Sequence, residues 1–311
     1  MTRATTRLSN VLRDLWRNDA PLTLAGLLMI ATLVASLVGL WLDPRTIGGA
    51  PAWLKPAKFG ASIAIYSLTL AWLFRYLGSW RKTRRIVSGT TAGVLVMEVA
   101  IIALQAWRGT TSHFNVSTPL DGALFSIMGA GIILQTAVSI AVAVALWRER
   151  FADPALGWAL RLGMTLTIIG ASTGGLMVRP TDAQLAEARA GRGMPVAGAH
   201  TVGAPDGGAG LPGTGWSIGH GDLRIPHFVG LHAVQALGLF TLVFGSPRRV
   251  RLVIAAASSY TALFALLLWR ALRGQSILQP DAMVLVWLGA TAAAIYVAAR
   301  SESLPRVAFV H

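Results

Sequence analysis

The sequence predicts an all-α fold: a polytopic membrane helix bundle of about eight transmembrane helices, with both termini cytoplasmic. Three observations carry that expectation. Of 311 residues, 54% are hydrophobic and only 13% charged, against about 25% charged in soluble domains, so lipid is the main solvent. Apolar stretches long enough to cross a bilayer as helices recur along the chain. The 27 Lys and Arg fall between those stretches: sixteen on one side, ten on the other, and Arg161 inside a span. That asymmetry sets the orientation by the positive-inside rule. The net charge of +14 therefore reads as membrane topology, not nucleic-acid binding. A bacterial-type plasma membrane is the expected location. Cysteine is absent, which excludes disulfides, thiolate metal sites and Cys nucleophiles.

In chain order, residues 1–18 form a basic, partly amphipathic segment suited to the inner membrane surface. Spans are then expected at approximately Pro21–Leu42, Ala57–Leu77, Val87–Trp107, Leu120–Trp147, Leu156–Val178, Pro226–Gly245, Leu252–Trp269 and Asp281–Ala299. The first is too long for a signal-peptide core and no A-x-A-like site follows it, so it is expected to stay as a helix.

Asp19-Ala20-Pro21 and Asp153-Pro154 open the first and fifth spans. Lys55-Pro56 and Ile225-Pro226 open the second and sixth, each with a Phe soon after. The third and seventh end in Arg108-Gly109 and Arg273-Gly274, and the fourth and eighth follow Pro119-Leu120-Asp121 and Pro280-Asp281. Asp and Pro start helices for local reasons, but four matches in one order predict a parallel 4+4 internal repeat, with halves 19–152 and 153–311.

The second half carries an outer loop insertion at 181–222. Thr181–Arg192 reads as a short polar helix capped by Thr181 or Asp182, while the Gly- and Pro-rich stretch 193–221 is not expected to form regular structure. Gly208–Gly213 matches G-x-G-x-x-G, yet no strand precedes it and no Rossmann-type unit follows. With no Walker motif either, no nucleotide cofactor is expected. Gly170, Ala171, Ser172, Gly174 and Gly175 predict close helix packing in the fifth span.

The candidate chemistry centres on Gly219–Gln235, which holds three of the six histidines. On the expected topology His113, His200, His220 and His227 lie outside, and His232 lies about 9 Å down the sixth helix from Pro226. One arrangement uses His113 with His227 or His232 as axial ligands to a haem b near the outer leaflet. Arg108, Arg224, Lys55 or Lys58 would then pair with the propionates, giving a role in membrane redox chemistry. A second arrangement binds a divalent metal through His220, Asp222 and His227, with an open position to activate water. In this respect the outer histidines and Asp222 resemble those of membrane ceramidase-like hydrolases, which implies a metal-dependent membrane hydrolase. The i, i+5 spacing of His227 and His232 departs from that pattern, so no catalytic residue is carried over. Five residues span about 140° of a helix, so a site using both needs the helix to start late or unwind near Pro226. The plainer account is that interfacial histidines hydrogen-bond loops or lipid headgroups.

Glu98 lies about 16 Å along the third helix from Val87, near the bilayer centre, where an ionised carboxylate costs several kcal/mol. Gln105, Gln135 and Gln235 are the other intramembrane polar residues, and Gln135 and Arg161 are candidate partners for Glu98. A small-solute or ion transporter working through Glu98 is the alternative function. Trp53, Lys55 and Lys58 around Pro56 form a basic-aromatic collar that anchors headgroups. The expected partners are membrane lipids and a small-molecule substrate, with no nucleic acid.

Overall fold

The computed structural model describes residues 2–244, 246 and 249–303. Gly245, expected at the end of the sixth span, and the inner basic residues Arg248 and Arg306 lie outside them. The first half comprises α1 (Thr2–Asn18), α2 (Ala20–Leu42), a hairpin of β1 (Thr46–Ile47) and β2 (Ala50–Pro51), α3 (Leu54–Leu73), α4 (Arg81–Arg108) and α5 (Pro119–Arg148). The second comprises α6 (Pro154–Ser172), α7 (Gly174–Met177), α8 (Asp182–Arg189), β3 (Thr201–Val202), β4 (Gly221–Asp222), α9 (Arg224–Leu231), α10 (Ala233–Phe244), α11 (Val250–Leu272) and α12 (Ala282–Ser303). Among the described residues seven helical stretches are long and apolar enough to cross a membrane, and α9 with α10 makes an eighth if that bent pair counts as one span.

Local chemistry sets the helix starts. Asp19 and Asp153 accept the backbone N–H groups of Leu22 and Leu156 at 3.0 and 3.1 Å, with Pro21 and Pro154 in the first turns. Thr118 does the same for α5. Thr181, not Asp182, caps α8, in a reciprocal capping box with Gln184.

The largest apolar cluster sits at the end opposite the long loops. It joins Leu15, Leu22, Leu73, Val87, Leu146 and Leu160, one from each of α1 to α6. Side chains such as Ile133, Leu285 and Val286 stay mostly exposed, as a lipid-facing surface requires. Helix α12 packs on α11, where Trp287 donates to the Ser259 carbonyl at 3.0 Å, and only 6% of its apolar window is buried.

Two expectations change. The sixth span is not continuous: α9 and α10 meet at His232 with a 48° bend. Side chains from other helices take up the backbone groups freed there. Thr167 accepts the Val234 N–H at 3.3 Å and donates to the Leu231 carbonyl at 3.4 Å, while Tyr260 donates to the Val229 carbonyl at 2.6 Å. The break lies deeper than Pro226, near which a site using both His227 and His232 would have required the helix to unwind. The stretch 193–221 also contains regular pairing. Thr201 and Val202 pair antiparallel with Asp222 and Gly221, and isolated bridges join Asn115 to Val196 and Gly210 to Ser217.

Candidate functional site: a polar cluster under the long loop

The starts of α3 and α9, the end of α4, the turn 109–118 and the loop 190–223 gather at one end of the bundle, the loop-rich end. His227 is held there by close helix packing. A Cβ on Gly170 would lie 2.4 Å from the Gly230 Cα, so only two glycines let α6 and α9 touch backbone to backbone. At that crossing the Gly170 carbonyl lies 2.9 Å from His227 Nδ1, and the Thr173 hydroxyl 3.3 Å. A carbonyl only accepts, so Nδ1 carries the proton and Nε2 keeps its lone pair. The packing expected from Gly170 and Gly174 is found: Gly174 lies against the His227 ring.

His113 lies in the turn after α4. Its Nδ1 is 3.1 Å from the Ser112 hydroxyl, and Phe59, Phe114 and Phe125 surround its ring. Burial holds its pKa well below the ordinary imidazole value, and Lys55, His200 and His227 push the same way. The imidazole is therefore neutral near pH 7. His200 bonds Asp206 at 2.8 Å and packs on Phe114. Burial lowers its pKa too, with Asp206 offsetting part of the fall. His232, at the break, bonds the Ser62 hydroxyl of α3 at 2.9 Å and packs on Phe228. His113, His200, His227 and Lys55 thus form one electrostatic neighbourhood drawn from four segments.

The other expected ligands are used elsewhere. His220 is exposed, and Asp222, 1% exposed, spends its carboxylate on the Ser217 N–H and on the Arg224 backbone and guanidinium. His220, Asp222 and His227 therefore do not converge. Among the described residues no group of three or more His, Asp or Glu could hold a metal ion. Arg224 and Arg108, expected beside haem propionates, already have carboxylate partners, Asp222 at 2.5 Å and Asp121 at 2.7 Å. Gln105 completes the second pair by donating to Asp121 at 2.8 Å.

Glu98 is 1% exposed, about 15 Å from the loop-rich end of α4, and neither carboxylate oxygen has a hydrogen-bond partner. It lies opposite Gly131 of α5. Neither expected partner meets it. Arg161 donates to the Leu146 and Glu149 carbonyls at the far end. Gln135, one turn beyond Gly131, donates instead to Ser139, which also bonds Tyr66. Gln235, Thr91 and Ser67 likewise hold buried polar atoms with no partner.

Lys55, expected from sequence in a headgroup collar or beside a haem propionate, is half-buried and an electrostatic neighbour of Lys58, Arg224 and Glu98. The available signal was a lysine in a first helical turn, where acids are usual. Ser62 and Tyr66 were missed because a hydroxyl in an apolar helix normally bonds its own backbone. Comparison of the chain with family models, with curated proteins and with solved structures found no match.

Proposed function

We propose that the chain is a multi-pass membrane protein that moves a small solute or ion, with its loop-rich end outward and Glu98 at the centre of the path. One observation carries this: a buried carboxylate deep in a span without a hydrogen-bond partner. Such a group is expensive in a bilayer unless it exchanges a proton or meets a cargo. Two further features agree. The sixth span is broken at His232, as in transporters whose discontinuous helices form the substrate site. Gln235, Thr91 and Ser67 are also without partners, so polar atoms inside the bundle remain free for water or cargo.

The test is flux in proteoliposomes, read by an internal pH-sensitive dye and by uptake of a labelled solute panel. Glu98→Gln is expected to lower the rate at least about tenfold while the protein stays monodisperse. Undiminished flux in that variant would sink the proposal.

A second function, membrane redox chemistry on haem b, is favoured by a different observation. His113 and His227 each have Nδ1 beside a local partner, and neither Nε2 has a protein hydrogen bond among the described residues. Axial imidazoles are held in this way. Protein from haem-replete cells would then show a Soret band that shifts on reduction and disappears in His227→Ala. A colourless preparation would rule it out.

A further inference from the structure

We propose that the ion moved is a proton, carried through the first half of the bundle by reversible protonation of Glu98. The inference rests on the transport proposal above and names its cargo.

Helix α4 carries a polar seam on its buried face. Ser88, Thr91, Glu98 and Gln105 are all buried. Steps of three, seven and seven residues keep them within about 100° of arc and spread them over about 26 Å of helix. That is nearly the thickness of a bilayer's hydrocarbon core. Both ends of the seam are fastened to carboxylates: Ser88 donates to Asp19 at 2.5 Å and Gln105 to Asp121 at 2.8 Å. The middle is not fastened, since the Thr91 hydroxyl and both Glu98 oxygens have no hydrogen-bond partner. Hydroxyls in apolar helices normally bond the carbonyl one turn back, as those of Thr23, Ser36, Thr69 and Thr241 do. Thr91 and Ser67 of α3 depart from that habit. Buried polar atoms of this kind are met by water or by an exchanging proton.

The groups around Glu98 select the ion. Helices α2, α3 and α5 pack on α4. Along its length α2 has no titratable side chain, α3 offers Lys55, Lys58 and Tyr66, and α5 has none between Asp121 and Arg148. Glu98 is therefore the one acid in the interior of this half. A metal cation stripped of water needs several oxygen ligands, more than one carboxyl group supplies. Among the described residues no group of three or more His, Asp or Glu could hold one. A proton needs one basic atom at a time and hydrogen-bonding groups on either side. Lys55 is an electrostatic neighbour of Glu98, so the negative charge left when the proton departs has a cation to balance it.

Polar groups continue in both directions. Toward the loop-rich end, Ile101, Ile102 and Met128 with Phe59 form an apolar cluster between Glu98 and Gln105. The polar connection leaves α4 there and runs through Lys55 to its neighbour His113, and on to His200 and His227. Toward the opposite end, α5 runs back along α4. Gly131 lies against Glu98, which puts Gln135 and Ser139 about 6 and about 12 Å farther on, beside the level of Thr91. Gln135 donates to Ser139, Ser139 bonds the Tyr66 hydroxyl at 3.3 Å, and the Gln135 side-chain oxygen is unpartnered. Ser88 and Asp19 lie beyond. Each step breaks one bond to hydrogen and forms another on the next acceptor. Glu98 regains its starting form on release, and no electrons move.

The test uses the full chain in proteoliposomes under a potassium diffusion potential, first without added solute and then with each member of the solute panel. Proton entry is read by the internal dye against protein-free vesicles. Entry is expected in the wild type, at least about tenfold slower in Glu98→Gln and partly retained in Glu98→Asp. Entry that appears only with a panel solute also supports the proposal and identifies that solute as a companion cargo. No entry above protein-free vesicles under either condition, or equal entry in Glu98→Gln, overturns it. If Glu98→Gln does not fold, the wild type is treated with an apolar carbodiimide, which adds to protonated carboxyl groups, and the label is located by mass spectrometry. Labelling of Glu98 is expected to stop proton entry, and undiminished entry in fully labelled protein overturns the proposal. Glu98-dependent solute uptake without proton movement refutes only the proton, whereas absence of every flux refutes transport itself.

Discussion

His113 and His200 are imidazoles whose neutral forms are favoured by burial in the folded chain. The unfolded chain binds more protons just below the ordinary imidazole range, so folded stability is full above that range and declines as pH falls through it. The melting temperature in detergent is therefore expected to drop between about pH 7.5 and about pH 5.5, and His113→Gln to flatten that drop. An equal slope in the two proteins would remove His113 from the account. Asp222 and Arg224 give a second expectation. Arg224→Ala leaves a carboxylate with no exposed side-chain surface without its cation, at a cost of about 3 kcal/mol in chemical denaturation. Asp222→Asn combined with Arg224→Met should recover part of it. At this scale sequence and structure agree unevenly. Glu98 was legible because depth follows from counting residues along a helix. The pairing of Asp222 with Arg224 was not, because adjacency two residues apart does not by itself reveal an ion pair.

Helix starts at Asp19 and Asp153 could be read directly, and that of α8 to within one residue, since a cap is a contact within four residues. The bend at His232 could not. Residues 225–244 are apolar enough to run straight, and what stabilises the break comes from Thr167 and Tyr260, 64 and 31 residues away from their acceptors. The crossing of α6 and α9 gives the element-scale prediction. Gly230→Val drives a side chain into the Gly170 backbone, which cannot yield like the tip of a flexible side chain. A loss of about 3 kcal/mol is expected, together with a displaced His227. Gly175→Ala, where no atom lies within 4 Å of the new Cβ, should change stability by less than about 0.5 kcal/mol. Equal effects would mean that the crossing is looser than described.

For the molecule as a whole, composition was the most legible signal, because a bilayer imposes the same requirement on every crossing helix. Which side faces out rests on charge asymmetry alone. The absence of cysteine makes single-cysteine labelling clean. His220→Cys and Ala152→Cys, both at exposed positions at opposite ends, should react differently with an impermeant maleimide. The first is expected to label in intact cells and the second only after permeabilisation. The reverse pattern would invert the topology.

The cover over the cluster grips main-chain oxygens: Lys58 holds the Thr214 carbonyl and Arg224 the Gly215 carbonyl. Neither contact depends on the side chain of the residue that accepts it, whereas Trp216 beside them is held by its ring, packed on Phe228. The fastening at these two points belongs to the cations on the helices below, so Lys58 and Arg224 must each exchange a carbonyl for another acceptor before the loop can lift there.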